Sequence, residues 1–241
     1  MRQLFPYLPA LWNALGITVL IATLSILGAA LTSVALGILR AARNSPARRV
    51  SAGTVEILRG ASAIIYLFWI YYALPAVPGA PRLSPFAASV LVLSLTGGAY
   101  GAEIVRGGIQ AVPHSQLDAC HALGLSRRHT VLRVMLPQAL SQIVPAFSSL
   151  AADMMKWTVI VSFVGVQDVF YVANTARAVT NRTVAIYLLL VVIYWLLCSC
   201  TSLIFRGIEY ALPLSKARRA SQAPSRSFSS TSATREPAVE S

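Results

Sequence analysis

The chain predicts an all-α, polytopic membrane protein of about five transmembrane helices, with one long polar loop carrying a short helix. Three observations predict this. Hydrophobic residues make up 56% of the 241 and charged residues only 12%, too few to wrap a soluble domain of this size. Uncharged runs of about twenty residues or more, the length a bilayer span needs, recur along the chain. The one long polar interruption of the apolar interior lies between Glu103 and Pro137.

Taken in order, residues 1–14 form an N-terminal segment whose Pro6, Pro9 and aromatic residues suit the membrane interface. No charge falls between Arg2 and Arg40, and the 25 residues Leu15–Leu39 supply a first span. That run is too long for a signal peptide and lacks a small-residue cleavage site. Arg40, Arg43, Arg48 and Arg49 then make a compact basic loop. The uncharged residues 60–81 give a second span over about Ala61–Leu74. Prolines 75, 78, 81 and 85 with Gly79 mark the turn-rich stretch that follows.

Residues 83–102 form a third span. After the polar loop, 134–152 are uncharged but interrupted by Pro137 and Pro145, then followed by Asp153 and Lys156. Trp157–Gln167 resumes an apolar run, Asp168–Arg182 reads as a polar connection outside the membrane, and Thr183–Phe205 supplies a fifth span. The spans and their loops make one unit over 15–212, and the Ser-, Ala-, Arg- and Pro-rich 213–241 reads as a disordered basic tail. The glycine pairs Gly97–Gly98 and Gly107–Gly108 follow no strand, so close helix contact is their expected use.

The formal charge of +12 would suggest nucleic acid in a soluble protein; here it follows the positive-inside rule. With five spans and the N-terminus outside, fifteen Lys and Arg fall on the inner side and four on the outer, with Lys156 inside a span. The polar loop and the tail are then cytoplasmic. Within the loop, Pro113–Ser115 is the expected helix start and Asp118 is expected in its first turn. Leu117, Cys120, His121 and Gly124 share a face, with Gly124 near a C-cap. Arg127, Arg128, His129 and Arg133 follow, so a docking element for a cytoplasmic partner is indicated.

This loop is similar to the Glu-Ala-Ala…Gly…Ile-x-Leu-Pro signature of permease subunits of binding-protein-dependent ABC importers. Asp118, Ala119 and Cys120 stand at the Glu-Ala-Ala positions, Gly124 follows after three residues, and Val134, Met135, Leu136 and Pro137 follow after nine more. GGAYGAEIVRGGI at Gly97–Ile109 and LPQAL at Leu136–Leu140 resemble the polar amino-acid uptake branch, and the likeness covers roughly residues 10–210. Departures are Asp118 for Glu, Cys120 for Ala, Ser115 before Gln116, and LRGAS at Leu58–Ser62 where the family has Phe-Arg-Gly-Thr-Pro.

The resemblance implies a multi-pass permease of the bacterial cytoplasmic membrane, dimeric with itself or a related chain. It further implies ATP-binding subunits inside and a solute-binding protein outside. Gln116, Asp118, Ala119, Cys120, Gly124, Leu136 and Pro137 would form the coupling-helix loop. Its substrate would be a polar amino acid or an amino-acid-like compatible solute such as ectoine. The alternatives are a permease for an opine or a sulfur amino acid, and a membrane assembly protein without transport, which copurification with an ATPase would exclude.

Other chemistry finds little support. No Walker A string G-x-x-x-x-G-K-S/T is present, so ATP must be bound by partners. His114, His121 and His129 lack metal-ligand spacing, and H-E-x-x-H is absent, so neither a cofactor, a metal nor an enzyme is indicated. Cys120, Cys198 and Cys200 form no CxxC. Asp153 and Lys156 are three apart in a span, so they either pair or line a solute path. At the matching position the amino-acid branch reads Lys-Asp-Thr-Ser-Leu, and by resemblance Asp153, Lys156, Trp157 and Thr158 would line the path. The substitution of Trp157 for Asp points to a less polar, aromatic-caged ligand.

Overall fold

A computed structural model describes residues 8–41 and 46–211. The described residues are predominantly helical, joined by short turns and loops, with no strand among them. Helix α1 runs over Leu8–Ala41, so it takes in Leu8–Ala14 of the stretch assigned to the interface; residues 1–7 lie outside the described residues. Helix α4, Pro85–Gln110, starts at Ser84, whose side chain accepts from the Ala87 N–H at 3.2 Å, with Pro85 in the first turn. These two helices make the most extensive contact in the molecule, and small residues explain why. A Cβ on Gly97 would meet Met154 and Ala29, one on Gly98 would meet Thr32, and one on Gly101 would meet Ser33 and Phe147. The backbones therefore approach closely enough for Thr32 Oγ1 to reach Ser94 O at 3.2 Å and Ser33 Oγ to reach Gly98 O at 3.3 Å. Gly108 meets Ile143 in the same way, whereas Gly107 faces open space and has no packing role.

The second crossing departs from expectation. Helix α2, Pro46–Gly60, begins before the predicted span and holds Arg48, Arg49 and Arg59, so the expected basic loop is helix from Pro46 onward. Residues 42–45, which include Arg43, lie outside the described residues. The chain breaks at Ala61–Ser62 and resumes as α3, Ala63–Phe68, followed by a wider turn over Trp69–Ala73 and a tighter one over Leu74–Ala76. The two limbs are bent by 95°. Among the described residues four helices are long and apolar enough to cross a membrane, and five crossings result when this bent pair counts as one.

The polar loop folds as α5, His114–Ala122, and α6, Arg127–His129, which leads through Thr130–Met135 into α7, Leu136–Trp157. Pro137 and Pro145 do not interrupt this run. Pro137 directly follows the wide helical turn over Thr130–Met135 within a run that is continuous from Arg127, and Pro145 is carried inside α7. A tight turn over Thr158–Val164 ends at Gly165, φ 84°. The polar connection expected over Asp168–Arg182 is instead helix α8, Val169–Thr180, whose Val169, Ala173 and Ala176 are buried against Leu11, Ala14, Ile186 and Leu190. Helix α9, Thr183–Ala211, follows. Its exposed Leu188, Val191, Val192, Trp195 and Leu203 form the kind of apolar face that lipid covers. The predicted tail, 213–241, falls outside the described residues.

Candidate functional site

Helix α5 is exposed along most of its length. Ser115, Gln116, Asp118, Ala119, His121, Ala122, Leu123 and Gly124 are all exposed, while Cys120 is buried. Pro113 precedes the helix and supplies no side-chain cap. Asp118, the fifth helical residue, lies beyond the first turn, so the expected charge at the helix N-terminus is absent. The far end is tightly closed. The Gly124 N–H donates to His121 O at 3.0 Å and the Leu125 N–H to Cys120 O at 3.1 Å, the paired bonds of a Schellman motif. Gly124 has φ 69°, the left-handed conformation where a Cβ is costly, and nothing in the chain lies within 4 Å of where that Cβ would be.

One tie of this loop was not legible in the sequence. Gln138 Nε2 donates to Gln116 Oε1 at 2.6 Å, joining the exposed helix to the first turn of α7. Leu136 and Pro137 are thus the start of the helix that α5 is fastened to, not part of α5 itself. Nearby, Glu103 on α4 binds Arg40 of α1 at 2.7 Å and Arg106 at 2.8 Å, and Arg106 donates to Gln110 Oε1 at 2.6 Å.

The four residues of the expected solute path do not face one way. Lys156 Nζ and Asp153 Oδ1 pair at 2.9 Å, and both side chains are more than half exposed. Trp157 is half-buried, its ring centroid 5.6 Å from that of Tyr100 on α4. Thr158 is fully buried, its hydroxyl turned back to Met155 O at 2.8 Å. Trp157, Tyr100, Ile160 and Thr96 line a cavity of about 230 Å³ together with Ala61 and Ser62, where the second crossing breaks. The break itself has a local cause only in part: Gly60 ends α2, and Ser62 gives α3 no side-chain cap.

Asp168 corrects a further expectation. It lies outside the apolar spans, yet it is fully buried. It accepts from the Tyr171 N–H at 2.9 Å as the N-cap of α8, and the Tyr194 hydroxyl reaches its Oδ2 at 3.5 Å. Beside it Thr18 Oγ1 accepts from the Val169 N–H at 3.1 Å, so α1 and α9 both bond to the start of α8. Burial pushes the Asp168 carboxyl up to about 6, against the opposing pull of the backbone N–H groups of Tyr171 and Phe170. Among the described residues no group of three or more His, Cys, Asp or Glu could hold a metal ion.

A polytopic helical bundle with an exposed, Schellman-closed helix between two of its crossings defines a multi-pass membrane protein. Residues 33–212 match the family of binding-protein-dependent transport system inner membrane components, and the chain belongs to that family. It is 37% identical over 207 residues to the probable amino-acid ABC transporter permease protein y4tF of Sinorhizobium fredii, covering 84% of this chain and 87% of the relative. It is 31% identical over 205 residues to the L-cystine transport system permease protein TcyB of Bacillus subtilis, covering 85% and 87%. A crystal structure of an amino acid ABC transporter with histidines superposes with a TM-score of 0.78 at 28% identity, covering 86% of this chain and 96% of that one. The protein is accordingly a permease subunit of an ABC importer, not an enzyme.

Proposed function

We propose that the chain is one half of the membrane dimer of an amino-acid importer in the bacterial cytoplasmic membrane. Its N-terminus lies outside and its C-terminus inside, as the distribution of Lys and Arg favours. Residues 15–212 form the permease unit. A solute-binding protein delivers an amino acid, or an amino-acid-like solute such as ectoine, to the outer face, and ATP-binding subunits dock below. The names of the relatives, among them an L-cystine permease, support an amino-acid solute.

The observation that carries this reading is α5: a helix exposed along most of its length, ended by a positive-φ glycine and tied by Gln116 to α7. Gln116, Asp118, Ala119, Cys120, Gly124, Leu136 and Pro137 form the coupling loop to the ATP-binding subunit, with Cys120 buried behind the exposed face and Leu136 and Pro137 starting α7. Asp153, Lys156 and Trp157 border the solute path, and Thr158 packs behind them. No phosphate-binding loop exists in this chain, so the energy enters through α5.

Reconstitution tests it. The permease, its ATP-binding subunits and its binding protein, assembled in proteoliposomes, should accumulate radiolabelled amino acid only when ATP is supplied on the side of α5. Absence of ATP-driven uptake for every amino acid and for ectoine would reject the reading.

A further inference from the structure

Basic side chains crowd the start of the helical run that leads into α7. Arg127, Arg128, His129 and Arg133 are all exposed. The three arginine side chains have no partner among the described residues, and Glu103 on α4 is already shared by Arg40 and Arg106. Arg128 and Arg133 are five apart, so at 3.6 residues per turn they would stand about 140° apart around the axis. The chain instead takes a wider turn over Thr130–Met135, where the Leu136 N–H donates five residues back to Val131 O. That turn brings both arginines to one hollow of about 190 Å³, which Ser126, His129 and Leu132 complete. Ser126 Oγ accepts from the His129 N–H at 3.3 Å, and its own proton has no acceptor among the described residues. A second hollow shares Arg128 and Leu132 and adds Arg127 and Val131.

Position along the chain decides what meets these groups. The run Arg127–Val164 is long and apolar enough to cross a membrane, so its first turns lie at the edge of the bilayer. Leu132 and Leu136 are exposed and follow Arg128 at four-residue steps, so apolar surface continues on that face from the cations into the span. A soluble partner's carboxylates could meet the cations, yet the leucines lie on the membrane side of them. Cations at the boundary with aliphatic side chains behind them match a phospholipid. We propose that this groove binds one anionic phospholipid, its phosphate held by Arg128, Arg133 and the Ser126 hydroxyl, its acyl chains along Leu132 and Leu136. Two cations at such a surface favour an anionic headgroup by roughly tenfold or more. Assignment to the inner leaflet rests on the orientation proposed above; the site itself does not, nor does it depend on which solute is moved.

Native mass spectrometry tests the site on the full-length permease with its ATP-binding subunits, extracted in detergent. The complex is titrated with phosphatidylglycerol or with phosphatidylcholine of the same acyl chains. The parent should retain phosphatidylglycerol about tenfold better than phosphatidylcholine. Arg128→Gln/Arg133→Gln should bring that preference to within about threefold. Arg82→Gln/Arg182→Gln removes the same charge at exposed positions elsewhere and should leave the preference at the parent's value. Equal retention of the two lipids by the parent, or equal loss of preference in the two double variants, would overturn the site. Inorganic phosphate at the lipid's concentration should not displace phosphatidylglycerol; full displacement would make this an ion site without acyl contacts and overturn the lipid assignment. Loss of the ATP-binding subunits from the Arg128→Gln/Arg133→Gln complex, with the lipid preference unchanged, would give the cluster to that contact and likewise overturn the proposal.

Discussion

Asp168 shows how much a single residue can hide in a sequence of this kind. Next to Gln167 and ahead of Asn- and Thr-containing chain, it reads as part of a solvated connection, yet it is fully buried where α1, α8 and α9 meet. The missed signal was present: an Asp followed by apolar residues at 169, 173 and 176 is a helix N-cap ahead of a buried face. Its carboxyl has an ordinary value of 3.8 and is raised to about 6 in the folded protein by burial. The group's contribution to stability is therefore complete below about pH 4 and is lost as pH rises through about 6. Asn can cap the same turn without a charge. The melting temperature of Asp168→Asn should accordingly exceed that of the parent by a near-constant margin from pH 8 to about 6.5, the margin then narrowing between about pH 6 and pH 4. A difference that stays constant down to about pH 4 would show that the carboxyl does not titrate there.

At the scale of the helix, most of what uncharged runs can reveal was legible, and what they cannot reveal was not. The crossings at α1, α4, α7 and α9 follow from run length, because a span needs about twenty apolar residues whatever it packs against. The broken second crossing was hidden because Arg48, Arg49, Glu56 and Arg59 give α2 a polar face, so only its second limb looked apolar. Glycine spacing suggested close helix contact without saying which glycines make it. Geometry separates them: a Cβ on Gly101 collides with Ser33 and Phe147 across the α1–α4–α7 contact, whereas one on Gly107 meets nothing within 4 Å. Gly101→Leu should lower the yield of monodisperse, detergent-extracted protein and cost on the order of 1–3 kcal/mol or more. Gly107→Ala should be neutral or slightly stabilising, since alanine is the better helix former. Equal behaviour of the two variants in a thermal-aggregation assay would contradict the packing described.

For the molecule as a whole, the proposed orientation rests on charge asymmetry and the proposed coupling rests on α5. Topology is open to direct measurement. In a background without the native cysteines, Ala80→Cys, in the loop between α3 and α4, should react with an impermeant maleimide added to whole cells. Ser126→Cys should react only after the membrane is opened. The reverse pattern would invert the protein and remove α5 from the cytoplasm. The loop that carries α5 was legible as a separate element because its spacing of Asp118, Gly124 and Pro137 is a local pattern, whereas its fastening through Gln116 and Gln138 spans 22 residues and depends on the fold.

The central claim is that force passes between this chain and an ATPase through the end of α5. Gly124, at φ 69° with open space around it, permits the turn and leaves room for a partner surface to approach. Any Cβ there adds roughly 1–2 kcal/mol of backbone strain, and a charged side chain also stands in the docking contact. ATP hydrolysis by the purified complex, measured with and without loaded binding protein, is the direct test. The parent should show stimulated hydrolysis. Gly124→Asp should leave a membrane-inserted permease whose complex no longer responds. Stimulation equal to the parent's in the Gly124→Asp complex would contradict the account.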